Sequence, residues 1–264
     1  MWPAHHISLQ RDGVNAGVAD GTFDRLAGLS GIVTGAARGI GEACAAKLAS
    51  HGARVILADR DEDALGEAAE RIAAAGGEVA THAVDVREWS SVELLCRACV
   101  ERFGSMDFAI ANAGIGDYSS LDAGDPERWK LVVETNLLGV LYTVRGAFPV
   151  MKEQGSGHIV LMASTAGRGT WVGEPIYIAT KWGVVGLGWA LRKEALEHGV
   201  RVTLIEPSTV DTPLVRATAE GRDELERYAA LQVEDVARAV AFAIAQPEGV
   251  GISELMIQAV GPEL

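Results

Sequence analysis

From about residue 28 onward, short apolar runs alternate with longer stretches in which apolar residues recur at helical spacing. The runs at 30–34, 54–58, 78–84, 107–111, 158–162, 201–205 and 254–257 are mostly apolar on successive positions. This predicts strands buried on both faces. The stretches at 39–50, 61–75, 90–103, 126–153, 175–198 and 233–246 place apolar residues three and four apart, which predicts helices. Strand and helix in alternation predict an α/β fold: a doubly wound parallel sheet of seven strands with helices on both faces. No linker interrupts the alternation, so residues 28–264 are expected to form one domain. Residues 1–27 follow neither period and are expected to form an extension with little structure of its own.

The chain has 264 residues, 48% hydrophobic and 22% charged, which suits one domain of this kind. Its net charge of −13 speaks against nucleic acid, an anionic membrane surface or a strongly acidic partner. No uninterrupted apolar run reaches the roughly 18 residues of a membrane span. Met1 to His6 lack the basic region and apolar core of a secretory signal. Cys44, Cys96 and Cys99 are odd in number and fall in helical patterns, which points to reduced thiols and a cytoplasmic location. Cys96 and Cys99 form a C-x-x-C, but no second Cys or His pair stands nearby. Packing is the favoured reading, and no metal is expected.

Three features carry chemistry. The first strand runs into Gly35, Arg38, Gly39, Ile40 and Gly41, a glycine turn opening a helix. Such a turn lets a phosphate approach the backbone and meet free N–H groups. It lacks the Gly-Lys-Ser/Thr ending of a nucleoside-triphosphate loop, so ATP and GTP are disfavoured. Asp59 ends the second strand about twenty residues on, where a carboxylate accepts bonds from ribose hydroxyls and repels a 2′-phosphate. That favours NAD; Arg38 and Arg60 leave NADP open. Tyr177 and Lys181 lie four apart in a predicted helix and share one face. An ammonium beside a phenol lowers its pKa, and such a phenol exchanges protons near neutral pH.

With these residues placed, the chain resembles the short-chain dehydrogenase/reductase family over about residues 29–261. The matching motifs, in family order, are Thr34 to Gly41, Asp85-Val86, Ala111-Asn112-Ala113-Gly114, Asn136, and Ser164 thirteen residues before Tyr177. The first position of the fourth-strand motif is Ala rather than Asn. The resemblance implies a single-domain Rossmann fold and an enzyme that transfers hydride between a nicotinamide and an alcohol or carbonyl. Tyr177 would be the general acid or base, and Lys181 would tune it and hold the nicotinamide ribose. Ser164 would bind the substrate oxygen, and Asn136 would hold a relay water. Asp85 and Val86 would hold adenine, Asn112, Ala113 and Gly114 would line the cofactor, and Pro207, Val210 and Thr212 would meet the nicotinamide end. The family's Pro-Gly reads Pro207-Ser208 here, which restricts the turn if φ is positive at Ser208.

Substrate selection is expected from the strand-end loops at 115–120, 165–174 and 211–228. They offer Tyr118, Trp171, Leu214 and Val215 as a partly apolar pocket, with Arg168 nearby and residues 213–228 as a mobile lid. Membership implies a homotetramer or homodimer built on the long helices. The small residues from Gly183 to Gly188 would permit close approach across a two-fold axis. Two other readings compete. One is an NADPH-dependent reductase of carrier-bound 3-oxoacyl groups, docking through Arg128, Lys130 and Arg145. The other is a non-catalytic cofactor sensor, which is expected to lack Ser164, Tyr177 or Lys181.

Overall fold

The computed structural model describes residues 20–261. Residues 1–19 of the expected extension lie outside the described residues. Seven parallel strands form one sheet: β1 (Ser30–Thr34), β2 (Arg54–Asp59), β3 (Glu78–Ala83), β4 (Phe108–Ala111), β5 (Gly157–Met162), β6 (Val200–Pro207) and β7 (Glu254–Ile257). Their order is β3-β2-β1-β4-β5-β6-β7. The chain reverses direction across the sheet between β1 and β4, which pair through Gly31–Phe108 to Val33–Ile110. A crevice therefore opens beyond the carboxyl ends of these two strands, where α/β sheets bind ligands.

The helices are α1 (Gly39–Ala49), α2 (Glu62–Ala74), α3 (Trp89–Phe103), α4 (Pro126–Val133), α5 (Gly139–Gln154), α6 (Pro175–Leu196), α7 (Pro213–Arg216), α8 (Ala219–Arg227) and α9 (Val233–Ile244). Each face of the sheet has its own apolar core. Cys44, Leu48, Val33, Leu57 and Val240 belong to one, and Cys96, Cys99, Ile32, Leu161 and Val184 to the other. All three thiols are buried, and burial pushes them up to about 12, so they are inert packing groups.

Four expectations change. Residues Asp20–Leu26, assigned to the loose extension, form a 3-10 helix. Its Leu26 is fully buried, and Phe23 stacks on His51 at 4.9 Å. The helix expected at 126–153 is broken by a π turn at Glu134–Leu138 between α4 and α5. By length and composition Pro126–Gln154 would suffice to cross a membrane, but it packs on β4, β5, α3 and α6. The lid folds into α7 and α8, capped by the hydroxyls of Thr212 and Thr218. Finally, Gly183 and Gly188 of α6 make room for Leu137 and Leu204 of the same subunit; only Gly186 faces open space.

Candidate active site

Gly35 adopts φ +67°, and a Cβ there would stand 2.8 Å from Ala113 Cα. A Cβ on Gly41 would meet the Gly35 carbonyl oxygen at 2.1 Å. No larger residue fits either position. Asn112 braces the turn: its Nδ2 donates to the carbonyls of Thr34 (2.9 Å) and Gly35 (3.2 Å). Arg38, at the N-cap of α1, makes no side-chain cap, so the first N–H groups of that helix stay available to an anion. Gly35, Arg38, Gly39 and Ile40 line a cleft of about 890 Å³; Gly41 stands behind the turn.

Asp59 lines the same cleft and is held by two backbone bonds, from Ala37 N (3.3 Å) and Asp61 N (3.1 Å). Arg38 pairs with Asp61 on the surface. Asp85 pairs with Arg87, Nε to Oδ1 at 2.9 Å, which holds its carboxyl below the usual range. Arg60 also lines the cleft and acts weakly on Asp85. Asp61 and Arg87 were missed in the sequence because their roles depend on partners set by the fold. Val86, Asn112, Ala113 and Gly114 complete this wall; Pro207, Val210 and Thr212 also line the cleft, Thr212 beside Gly39 of the turn. No non-glycine residue described has positive φ, so Ser208 sits in its turn without strain.

Ser164, Tyr177 and Lys181 converge on the cleft between β5 and the start of α6. Lys181 Nζ donates to Met162 O at 2.9 Å and lies 5.5 Å from the Tyr177 ring centroid. Burial lowers this ammonium to about 8. The phenol departs from expectation. Burial pushes Tyr177 up to about 12, the Ser164 hydroxyl draws it down in part, and Glu174 and Glu224 push it further up. Without a bound cation, desolvation outweighs the nearby lysine. Asn136 does not line the cleft. Its amide exchanges two 2.8 Å bonds with the backbone of Ile115, as acceptor from N–H and donor to C=O. Its Nδ2 also reaches Thr180 Oγ1 at 3.4 Å, so protein groups engage this side chain.

Tyr118, Trp171, Leu214 and Val215, the residues expected to meet substrate, line the same cleft, as do Glu174, Glu224 and Tyr228. Glu174 directly precedes Pro175 at the start of α6, three residues before Tyr177, a spacing that flags it in the sequence. Burial raises it to about 7, with Glu224 and Asp117 adding to the shift. Arg168 lines the cleft, but its guanidinium is engaged by two carboxylates. It bonds buried Glu206 (Nε–Oε2 2.8 Å) and Glu254 (2.7 Å), and lies over the Trp189 ring. Arg128 of the expected docking patch donates to Gly116 O at 2.5 Å, and Lys130 pairs with Glu134.

Residues 31–223 match the short chain dehydrogenase family. The chain is 37% identical over 230 residues to an uncharacterized oxidoreductase of Staphylococcus saprophyticus, covering 87% of this chain and 96% of that one. It is 34% identical over 239 residues to the glycine betaine reductase of Emericella nidulans, covering 88% of this chain but 19% of that longer protein. A solved alcohol dehydrogenase from the archaeon Thermococcus sibiricus, complexed with 5-hydroxy-NADP, superposes with a TM-score of 0.80 at 31% identity. That match covers 88% of this chain and 97% of the other.

Proposed function

Because this chain belongs to the short-chain dehydrogenase/reductase family, we propose that it moves a hydride between its cofactor and a secondary alcohol or the matching ketone, with Tyr177 passing the proton. It is an oxidoreductase that uses a nicotinamide cofactor. The observation that carries the finer reading is the convergence of the half-buried Tyr177, a serine hydroxyl and the buried Lys181 ammonium on one cleft that the glycine turn also lines.

The residues fit a dinucleotide. Gly35 and Gly41 let the turn pack tightly on Ala113 and on itself, and the open N-terminus of α1 suits a pyrophosphate. Bound there, the nicotinamide supplies or takes the hydride, and its oxidised ring adds a positive charge that favours the phenolate. In reduction Tyr177, protonated at neutral pH, gives its proton to the carbonyl oxygen. Ser164 donates to that same oxygen, where charge develops. Lys181, charged below about 8, stabilises the phenolate left behind. Oxidation runs these steps in reverse. Asn136 keeps the Ile115 loop in place through its paired bonds.

We read the cofactor as NAD, on Asp59 at the end of β2 and on Arg38 being engaged by Asp61. The Thermococcus neighbour holds an NADP derivative, so the choice turns on these residues. A homo-oligomer through α6 is supported by Trp182 and Trp189, both exposed, flanking open Gly186. Buried reduced thiols support a cytoplasmic location. A substrate bearing a quaternary ammonium, as in the compound after which the Emericella relative is named, is a second reading, favoured by Glu174 and Glu224.

The test is Tyr177→Phe against a panel of secondary alcohols and ketones with both cofactors. Turnover is expected to fall by about 10²–10⁴-fold. A variant as fast as the wild type would remove Tyr177 from the proton path.

A further inference from the structure

Two carboxylates at the substrate end of the cleft lack a cation to match them. Glu174 and Glu224 both line the cleft and are partly buried. Among the described residues, the cations of the cleft are engaged elsewhere. Arg38 pairs with Asp61, Arg87 with Asp85, Arg168 with Glu206 and Glu254, and Lys181 bonds Met162 O. Arg60 stands at the adenosine end beside Asp85. Glu224 has a neutral partner, the Thr209 hydroxyl. The indole N–H of Trp171 is buried near Glu174 and makes no hydrogen bond of normal geometry. Unmatched acids held out of water are costly, and they persist where a ligand supplies the missing charge.

The surroundings are aromatic. Tyr118, Trp171 and Tyr228 line the same end. Tyr118, Glu174, Tyr177 and Glu224 all line this cleft, and the two carboxylates help push the Tyr118 phenol up from its usual range, after burial. Aromatic faces beside carboxylates are the chemistry that holds an ammonium.

We propose that this end of the cleft selects substrates by a cation: an alcohol or ketone whose far end is an amine or quaternary ammonium, held between Glu174 and Glu224 against the rings of Tyr118 and Trp171. The proposal rests on Tyr177 as the proton-transfer group. It also couples binding to chemistry. Glu174 and Glu224 both disfavour the Tyr177 phenolate. A cation between them cancels that opposition, so the substrate that fits the subsite also eases proton transfer.

The experiment compares a methyl ketone ending in trimethylammonium with the same ketone ending in uncharged, isosteric tert-butyl. The charged ketone should win in kcat/KM by about tenfold or more, with part of the gain in kcat. Glu174→Gln and, separately, Glu224→Gln should each cut that ratio several-fold. A wild type that turns over the neutral ketone equally well, or a ratio unchanged in both variants, overturns the proposal. Calorimetric titration of tetramethylammonium into cofactor-saturated enzyme separates the two readings. Binding that both Gln variants weaken, in an enzyme whose Tyr177→Phe form stays fully active, keeps the subsite and removes the proton-transfer reading. Loss of activity in Tyr177→Phe with no tetramethylammonium binding to the wild type does the reverse.

Discussion

Asn136 and Ile115 hold each other by two hydrogen bonds in opposite directions, each 2.8 Å. The π turn at Glu134–Leu138 aims the Asn136 side chain at this loop. Asn136→Asp would turn a carboxylate oxygen toward the Ile115 carbonyl, setting acceptor against acceptor. We expect a loss of about 2–3 kcal/mol in urea unfolding and a larger fall in kcat than in cofactor affinity. An Asp variant with wild-type stability and kcat would show that the pair positions nothing.

Cofactor choice depends on Asp59. Asp59→Ala removes the acceptor for ribose hydroxyls and the repulsion of a 2′-phosphate. The ratio of NAD to NADP affinity is expected to fall at least about tenfold. A wild type that binds NADP more tightly than NAD would refute the reading.

Arg168 and Glu206 form a pair that tolerates loss of both members better than loss of one. Glu206 is 1% exposed, and Arg168 is its cation. Arg168→Met would strand a buried carboxylate and cost about 3 kcal/mol in urea unfolding. Adding Glu206→Gln should restore much of that loss. Simple additivity of the two variants would mean that the pair contributes no coupling.

Acid stability reports on His158. Its Nε2 lies 2.7 Å from Thr203 Oγ1, and Thr203 spends its hydroxyl hydrogen on Ile252 O at 2.5 Å. The ring therefore donates through Nε2, and Nδ1 stays bare and buried without a partner. Burial, with Arg201 adding to it, lowers His158 from 6.5 to about 3. The unfolded chain takes up a proton below about 6.5 while the folded chain refuses it. Stability is thus full above 6.5 and declines as pH falls toward 3. The urea midpoint should drop steadily across this window and drop less in His158→Leu. Equal slopes in both proteins would assign the acid sensitivity elsewhere.

The sequence pattern located every strand: the inner five are apolar at consecutive positions because both faces are buried, whereas the edge strands β3 and β7 are half-exposed, contrary to expectation. The pattern placed strand ends less well. β6 runs on to Pro207 because β7 pairs with it from Leu204 to Pro207, and a ladder partner leaves no local mark. The π turn was hidden inside an unbroken helical period, and the partner its Asn136 meets lies 21 positions away. Helices α7 and α8 were hidden because they bury little, and only the caps Thr212 and Thr218 announce them. The glycine turn and the Tyr177–Lys181 pair were legible because their spacing is local to a turn or a helix face; Asp59 stood out at the end of a strand, and Ser164 came from the family resemblance. The electrostatics around them were not legible. Glu224 lies 47 positions from Tyr177, yet it helps set the phenol's protonation.

The short 3-10 helix Asp20–Leu26 belongs to the packed domain. Leu26 is fully buried, Phe23 lies under the Lys47 ammonium at 4.9 Å, and Gly28 N bonds Gly52 O at 2.9 Å. A shortened version starting at the first strand would look complete by its motifs, yet would leave a leucine-sized hole between α1 and α9. Fusion partners and affinity tags therefore belong ahead of Asp20, where they leave that plug in its socket.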